Sequence, residues 1–394
     1  MSHFTFKVIE IVAVFGMISS SAYYLLCLWG ARNFLLEPRA ADRIVRPTQA
    51  VPPVSILKPL KGIDPEIYDS FCSHCVQDYA EYEIVFGVSD PDDPAVASVE
   101  QLQREFPDRQ VRLVVCPKLL GANVKVSNLA QMLPLARHEH LVVNDSDIRV
   151  ERDYLQRVVA PLSDAKVGMV TCLYRGVAAS TFGSRLEALG ISTDFFAGVL
   201  AARQLEGGIR FGLGSTLAFR RADLARAGGF ESLLDYLADD YELGKRIADL
   251  GLDVVLSDAG VETHLPAYDL PGFILHQLRW ARGVRDSRAG GYVGLLFTFG
   301  LFWSFLALVL SQGAAWVWAL FGVTLFLRLA VALAVGKAVL GDGELLKNLW
   351  MLPLRDFIAV GVWIASFAGH TVSWRGDQFT LKDGRLIRKS HLSG

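Results

Sequence analysis

The chain has 394 residues, of which 52% are hydrophobic, and its mean hydropathy of +0.32 is high for a purely soluble protein. That length accommodates a globular domain of ordinary size together with several membrane spans. The formal net charge is only −2, so bulk charge gives no reason to expect nucleic acid as a partner.

The cysteines are scattered and odd in number, at positions 27, 72, 75, 116 and 172. This pattern predicts no disulfide framework and fits a reducing, cytoplasmic main domain. Cys72-Ser-His-Cys75 resembles half of a zinc site, but no second CxxC follows it. Two small buried side chains on one helical turn are therefore the favoured interpretation.

The first apolar segment, Ile11–Trp29, is an uncharged run of 19 residues, long enough to span the hydrocarbon core of a bilayer. It lacks the basic start of a signal peptide, and no small-x-small cleavage site follows Trp29. We expect a retained membrane anchor.

The polar middle of the chain alternates between strand-like and helix-like segments. Predicted strands are Val54–Leu57, Glu83–Val88, Val111–Val115 and Leu141–Val143; predicted helices are Pro65–Gln77, Ala95–Phe106 and Asn123–Leu135. This alternation predicts an α/β fold with a parallel sheet and crossover helices. Ligands bind at the carboxyl ends of the strands in such sheets, and two acidic clusters follow strands directly.

The second acidic cluster contains Asp145-Ser146-Asp147. Two carboxylates in this position can hold a divalent cation, Mg²⁺ or Mn²⁺, that neutralises a nucleotide diphosphate. The same pattern also serves in caps and turns.

The first acidic cluster offers Asp90, Asp92 and Asp93 after the strand Glu83–Val88. A carboxylate here can accept hydrogen bonds from a uracil N–H and a ribose hydroxyl. The alternative is an Asx-turn with a helix cap, because Asp93-Pro94 precedes a predicted helix. One aspartate can cap while another binds, and Asp90 and Asp93 are the favoured ligands.

A third acidic pair, Asp239-Asp240, opens a predicted helix. A carboxylate at a helix N-terminus stays ionised because of the helix dipole, which makes Asp240 a candidate general base. A plain helix cap is the alternative.

The stretch His276-Gln277-Leu278-Arg279-Trp280 is apolar and basic. Arg279 can contact a leaving diphosphate and Trp280 can pack at a membrane interface. A juxtamembrane amphipathic helix with an aromatic anchor is the alternative.

The C-terminal third is strongly apolar. Predicted spans are Val293–Leu310 and Ala314–Val335, with a turn at Ser311–Gly313, and Phe357–Trp374, preceded by an interfacial helix at Leu349–Asp356. Arg328 is expected to snorkel or to pair within the bundle.

Arginines flank the middle region on both sides, at positions 32, 39, 43 and 46 and again at 279, 282, 285 and 288. The positive-inside rule then places the middle domain in the cytoplasm. Four spans would put both termini outside, which fits poorly with the basic tail that contains Arg375 and Lys389. Either the tail is an exception or one C-terminal segment does not cross.

Together, these stretches resemble family 2 type glycosyltransferases of the GT-A fold, and more closely the ceramide glucosyltransferase family, family 21. The resemblance is carried by Ser55–Gly62, Ser89–Pro94, Asp145–Val150, Ala238–Tyr241 and Ser373–Gly376. The runs Gly121–Asn128 and Val170–Gly176 are similar to the bacterial hopanoid-biosynthesis branch. The first position of the family's (Q/R)xxRW motif is His276 here.

The resemblance implies a Rossmann-like GT-A domain, with a mostly parallel sheet and transmembrane helices. It implies a catalytic base, Asp240, and metal ligands Asp145 and Asp147. It also implies a set of residues that bind the nucleotide sugar: Lys58, Asp90, Asp92, Asp93, Lys125, Asp145, Arg279 and Trp280. Asp239, His276 and Gln277 are expected at the diphosphate or in support of those residues.

The implied reaction is inverting transfer of a hexose, glucose or N-acetylglucosamine, from a UDP-sugar to the hydroxyl of ceramide or a hopanoid. The apolar stretch Leu186–Leu205 either presents the lipid or forms a buried core helix. The expected domains are an anchor (1–31), a cytoplasmic transferase domain (32–288), a transmembrane bundle (289–374) and a polar tail (375–394), in the bacterial inner membrane. A processive polysaccharide synthase and a non-catalytic lipid-binding membrane protein are the alternatives.

Overall fold

The computed structural model describes residues 3–38, 51–374 and 377–388. Its strands are β1 Val54–Leu60, β2 Tyr82–Val88, β3 Gln110–Val115, β4 His140–Val143, β5 Ile148–Val150, β6 Val167–Val177, β7 Leu217–Arg220, β8 Asp253–His264, β9 Thr371–Trp374, β10 Asp377–Lys382 and β11 Arg385–Arg388.

The α-helices of the described residues are α1 His3–Leu36, α2 Ile67–Cys75, α3 Ala95–Glu105, α4 Val124–Met132, α5 Tyr154–Val159, α6 Phe182–Gly190, α7 Phe196–Glu206, α8 Arg221–Arg226, α9 Asp239–Asp249, α10 Leu270–Ser287, α11 Ala289–Gly294, α12 Gly300–Leu310, α13 Ala315–Val331, α14 Leu345–Asn348 and α15 Leu352–Ser366. The π-helical segment Ile191–Phe195 joins α6 to α7, and a second one, Ala332–Val339, extends α13 at its C-terminal end. Short 3₁₀ turns connect other elements.

The chain forms two compact units. The sheet unit comprises Pro38–Val177, Gly208–Pro266 and Trp374–Gly394, and the helical unit comprises Met1–Glu37, Ala178–Gly207 and Ala267–Ser373. The domain limits expected from the sequence remain a prediction. Several residues of the sequence argument lie outside the described residues: Arg39, Arg43, Arg46, Arg375, Gly376 and Lys389.

The sheet unit is built on one eight-stranded sheet with the order β3-β2-β1-β4-β7-β6-β8-β5. Strands β1 to β4 pair in parallel, as predicted, and β6 pairs with β8 in parallel. The pairs β4–β7, β6–β7 and β5–β8 are antiparallel. Every residue of β1 and β2 is buried, as expected for strands covered on both faces.

This strand order positions the site. Since β2, β1 and β4 are parallel neighbours, their carboxyl ends lie side by side, and the loops that follow them start at Lys61, Ser89 and Asn144. The predicted convergence of the acidic clusters at one edge of the sheet rests on this topology.

The C-terminal strands β10 and β11 form an antiparallel hairpin within the sheet unit. Leu386 N–H donates to the Asp235 carbonyl at 2.6 Å, and Leu237 N–H donates to the Gly384 carbonyl at 3.1 Å. The hairpin therefore braces the loop that leads into α9.

Three helical segments of the helical unit are long and apolar enough to cross a membrane: Thr5–Leu36, Ala315–Val339 and Leu345–Ser366. A fourth candidate, Ala289–Thr298 with Gly300–Leu310, is bent by 51°. The N-terminal anchor and the span near Ala314–Val335 thus have helices of the expected length, whereas the segment predicted as Val293–Leu310 is broken before Gly300.

The last predicted span was placed wrongly. Its helix begins at Leu345 and ends at Ser366, whereas Thr371–Trp374 is a strand. The predicted interfacial segment Leu349–Asp356 belongs to this helix. The charges that broke the apolar run in the sequence are paired, because Asp356 binds Arg328 and Arg355 donates to Gln277.

Candidate active site

Lys58, at the end of β1, is fully buried, although it is charged at neutral pH in most settings. Its Nζ donates to the Asp145 carbonyl at 3.0 Å and lies 6.0 Å from the centre of the Phe71 ring. Burial lowers the pKa of Lys58 to about 7, against the opposing pull of the nearby carboxylates. Lys58 thus ties β1 to the backbone of the predicted DxD loop.

The DxD loop is held from both sides by side chains that sequence reasoning missed. Ser146 donates to Asp64 in the loop after β1, and Thr263 of β8 donates to Asp147. Burial, together with the charge of Asp145, raises the pKa of Asp147 to about 6. The adjacency of Asp64 to β1 was a weak sequence signal, whereas Thr263 is far away in sequence and gave none.

Lys125 links two of the predicted acidic motifs. Its Nζ lies 2.8 Å from Asp145 Oδ1 and 3.4 Å from Asp239 Oδ2. Asn123 caps α4 through its side-chain oxygen and donates from Nδ2 to Asp239. Burial alone would lower the pKa of Lys125, but the carboxylates around it raise the pKa instead: Asp145, Asp239 and Asp240.

Asp240 is in the first turn of α9 and its Oδ1 accepts from the Tyr241 N–H at 2.8 Å. A β-carbon on Gly214 would lie 2.9 Å from Asp145 Oδ2 and 3.2 Å from Asp240 Oδ2. The two carboxylates therefore face one small space that a side chain at position 214 would fill. Burial and the charge of Asp239 raise the pKa of Asp240, and Lys125 opposes this rise.

The carboxylates of the DxD motif are suited to a cation that binds together with a diphosphate. Among the described residues, no group of three or more His, Cys, Asp or Glu side chains could hold a metal ion by itself. Mg²⁺-type sites, however, often use one or two carboxylates and take their other ligands from phosphates and water. Asp145 and Asp147 provide two such carboxylates. Burial, and after it the charge of Asp145, raises the pKa of Asp147, and a cation would offset both effects.

The aspartates of the first acidic cluster have two different structural roles. Asp93 accepts from the Ala95 N–H at 2.9 Å, at the start of α3, and from the Gly62 N–H at 2.9 Å. Asp90 accepts from the Asp92 N–H at 2.9 Å in an Asx-turn, and both of these residues are exposed. Asp93 therefore uses its carboxylate on the backbone, whereas Asp90 presents its side chain to solvent.

The predicted HxxRW residues lie on α10, which belongs to the helical unit, whereas the acidic motifs belong to the sheet unit. His276 stacks on Tyr268 with ring centres 5.1 Å apart and also contacts Trp280 at 5.6 Å. Gln277 donates to the buried Glu187 at 2.7 Å and accepts from Arg355 at 2.9 Å. Gln277 is thus committed to packing α10 against neighbouring helices.

Glu187 and Arg355 are further residues that sequence reasoning missed. Glu187 lies 3.4 Å from His276 Nδ1 and is almost fully buried. Arg279 also lies on α10. The two cysteines considered for zinc, Cys72 and Cys75, are in α2, and Cys75 is buried as expected.

Comparison with known proteins adds a family and a fold. The profile of the family described as Glycosyl transferase family 21 matches residues 12–387. Ceramide glucosyltransferase 1 of Caenorhabditis elegans is 23% identical over 98% of this chain and 83% of its own length. A ceramide glucosyltransferase of Komagataella phaffii is 35% identical over a shorter stretch, 30% of this chain and 25% of its own.

Among solved structures, the mannosyltransferase PcManGT from Pyrobaculum calidifontis, in complex with GDP-Man and Mn²⁺, superposes with a TM-score of 0.54. The match is 20% identical and covers 91% of this chain and 99% of that one. It confirms the predicted GT-A type fold class, an α/β domain with a mostly parallel sheet. The helices that accompany this domain are candidates to cross a membrane.

Proposed function

Since the chain belongs to glycosyl transferase family 21 and is a glycosyltransferase, as its motifs predicted, we propose that it transfers a hexose from a UDP-sugar to a hydroxyl of a membrane lipid, with inversion. Ceramide and hopanoids are the acceptor classes, and glucose and N-acetylglucosamine are the candidate sugars. The ceramide glucosyltransferases among its relatives support a lipid acceptor.

The observation that carries the proposal is the pairing of Asp240 with the DxD motif around one small space at Gly214. Asp240 takes the proton from the acceptor hydroxyl, whose oxygen attacks the anomeric carbon of an α-linked UDP-sugar. The bond from that carbon to the diphosphate breaks, UDP leaves with the electron pair, and the product is a β-glycoside.

Other residues of the chain position the donor. Lys58 and Lys125 fix the DxD loop, and Asp90 offers an exposed carboxylate to the nucleoside. The role of Arg279 and Trp280 at the diphosphate stays a prediction from the sequence. A divalent cation, Mg²⁺ or Mn²⁺, held by Asp145 and Asp147 would neutralise charge on the departing diphosphate. Asp239 keeps Lys125 in place.

We place the protein in a bacterial inner membrane with the sheet unit in the cytoplasm. Support comes from the three helices that are apolar enough to span a bilayer and from the arginines on α10 beside the helical bundle. UDP-sugars would then reach the site directly.

The test is UDP release and glycolipid formation by membranes that contain the full-length protein. Each donor, UDP-glucose, UDP-galactose or UDP-N-acetylglucosamine, is paired with ceramide or a hopanoid. Loss of a general base predicts that Asp240→Asn lowers kcat by about 100- to 10,000-fold. The matched control is Asp249→Asn at the other end of α9, whose carboxylate pairs with Arg210 on the surface and should not affect kcat. Full turnover by Asp240→Asn would refute the assignment of the base.

A further inference from the structure

The segment that leads into α9, residues 234–237, lies against the C-terminal hairpin of the sheet unit. Tyr236 forms an antiparallel bridge with Arg385 of β11, between the two backbone hydrogen bonds that join the hairpin to this segment. The segment therefore pairs with β11 like a short third strand. Asp240 follows the segment by three residues, so the hairpin holds the chain immediately before the proposed base.

Side chains add to this backbone pairing at Tyr236. The guanidinium carbon of Arg385 lies 5.2 Å from the centre of the Tyr236 ring, and its Nη2 donates to the tyrosine hydroxyl at 3.3 Å. The guanidinium carbon of Arg246, on α9, lies 5.6 Å from the same ring centre. A cation within about 6 Å of an aromatic ring is attracted to its face. Tyr236 thus connects the hairpin with the helix that carries Asp240.

The same segment contacts the fully buried Asn123, the N-cap residue of α4. The Asn123 N–H donates to the Leu234 carbonyl at 2.7 Å, and its Nδ2 donates to the Tyr236 carbonyl at 2.8 Å. Nδ2 also donates to Asp239 Oδ1 at 3.3 Å. The position of Tyr236 is therefore coupled to the first turn of α9 in two ways, along the chain and through Asn123.

The first turn of α9 depends on such external contacts. The first N–H groups of a helix have no partner within the helix, and a capping side chain usually fixes that end. The N-cap residue of α9 is Ala238, which has no side chain that can cap. The turn that contains Asp240 is held instead by the segment before it and by the partners of that segment.

Arg385 differs in this respect from the other cation at the end of the hairpin. Lys382 lies directly opposite Arg385 in the hairpin register, and both residues are exposed. Within the described part of the chain, the Lys382 side chain forms no hydrogen bond or ion pair. Arg385 contacts Tyr236 through both its charge and an N–H group. The chain thus offers two neighbouring cations of which only Arg385 touches the segment before the base.

We propose that Arg385 is a positioning residue for glycosyl transfer, which acts through Tyr236 to fix the start of α9 and so to direct Asp240 at the acceptor hydroxyl. The inference rests on the proposed function, in which Asp240 is the general base. The geometric requirement is strict, because a displacement of about 1 Å at a catalytic group can cost about 100-fold in rate.

The experiment measures steady-state kinetics of the full-length protein in membranes, with UDP-glucose or UDP-N-acetylglucosamine and ceramide or a hopanoid, whichever pair the wild type uses. Turnover is expressed per folded molecule, counted by UDP bound at saturation. Arg385→Ala should lower kcat by about 10- to 100-fold, because the base is displaced. The KM for the UDP-sugar should not change, since Arg385 does not contact the lysines that fix the DxD loop. Arg385→Lys, which keeps a cation beside the ring, should recover most of the lost kcat.

Lys382→Ala is the matched control and should keep the wild-type kcat. Tyr236→Leu should lower kcat as Arg385→Ala does, and the double variant should be no slower than Tyr236→Leu alone, because both changes remove one contact. Three results would each overturn the inference: wild-type kcat in Arg385→Ala, an equal loss in Lys382→Ala, or additive losses in the double variant.

A second variant keeps the test decisive if Arg385→Ala does not fold. Arg385→Gln keeps a polar side chain of similar length but removes the charge, so it should also lower kcat, and wild-type turnover in this variant would overturn the inference. A wild type that transfers no sugar to either lipid would instead contradict the proposed function itself.

Discussion

Lys125 provides the positive charge that interacts with carboxylates of two acidic motifs of the site. It pairs with Asp145 and Asp239, and its charge opposes the rise in the pKa of Asp240. A general base acts in its ionised form, so turnover should fall as the pH falls through the raised pKa of Asp240. As the pH falls, we therefore expect activity to be lost at a higher pH than it would be if Asp240 had the pKa of an ordinary aspartate.

Replacing this cation gives a prediction with a definite sign. In Lys125→Met, the pKa of Asp240 loses an influence that lowers it and should rise further. The acid limb of the kcat profile should then move to higher pH, measured with saturating donor and acceptor. Lys245→Met, on the exposed side of α9, is the control and should keep the wild-type profile. If the acid limb of the kcat profile does not move in Lys125→Met, the charge of Lys125 does not influence the pKa of the proposed base.

Asp90 and Asp93 differ in environment, although the sequence presents them alike. Asp93 bonds two backbone N–H groups at the start of α3 and after β1, so Asp93→Ala should destabilise the protein by about 0.5–2 kcal/mol, measured by thermal denaturation. Asp90→Ala should leave thermal stability nearly unchanged and raise the KM for the UDP-sugar. A loss of thermal stability in Asp90→Ala, together with a stable Asp93→Ala, would contradict these two roles.

At the scale of elements, the pair Arg328–Asp356 joins α13 to α15. Both side chains are largely buried and both oxygens of Asp356 are used. Their separation in sequence concealed this pairing, although the expectation that Arg328 pairs within the bundle is confirmed. The pair explains why a charged helix turn fits inside an apolar segment.

Breaking this pair should be costly. Arg328→Met leaves the Asp356 charge buried and unpaired, which predicts a loss of about 3–5 kcal/mol in the free energy of unfolding. Arg328→Met combined with Asp356→Leu should recover most of that loss, as measured by thermal denaturation in detergent. The control is Lys347→Ala, which removes an exposed pair with Glu344 and should have little effect. Equal stability of the single and double variants would argue against the pair as the cause.

At the scale of the whole molecule, two contacts constrain how the chain crosses the membrane. The hairpin β10–β11 bonds to the loop at Asp235–Leu237, so the C-terminal strands and the sheet unit must share one side of the membrane. We therefore expect an even number of crossings between β8 and β10, the strands of the sheet unit on either side of the apolar helices. This expectation agrees with the alternative, raised by the basic tail of the sequence, that one C-terminal segment does not cross.

The segment Leu345–Ser366 is the one that we expect not to cross. Its second half runs beside α10, since Arg355, at its middle, donates to Gln277 and the Ser366 carbonyl, at its end, accepts from Arg285. Because α10 carries Arg279, Arg282 and Arg285, we expect it to be an interfacial helix rather than a span. The bent pair Ala289–Leu310 and the helix Ala315–Val339 then provide the two crossings, and α1 provides the third.

Thiol labelling tests this arrangement. A membrane-impermeant maleimide applied to spheroplasts should label Gln312→Cys, between the two C-terminal crossings, and should not label Gly343→Cys, where a β-carbon meets open space. The parent protein, with most of its own cysteines buried, gives the background. Labelling of Gly343→Cys from outside would show that the crossings have been assigned wrongly.

The sequence by itself determined the fold class, the family and the identity of the acidic motifs. Alternating strands and helices dictate a parallel sheet, and a parallel sheet brings the loops that follow its neighbouring strands to one edge. Uncharged apolar runs likewise indicated two of the helices that are long and apolar enough to cross a membrane, Thr5–Leu36 and Ala315–Val339. These properties depend on local pattern and chain order, which a sequence displays directly.

Only the tertiary structure decided which carboxylates accept hydrogen bonds within the protein and which are exposed to solvent. Asp93 bonds Gly62, Thr263 holds Asp147, and Gln277 binds Glu187 and Arg355, all across long stretches of chain. It also placed the end of the last apolar helix at Ser366. These outcomes depend on partners distant in sequence, and the ionisation and exposure of a carboxylate are set by those partners rather than by its neighbours along the chain.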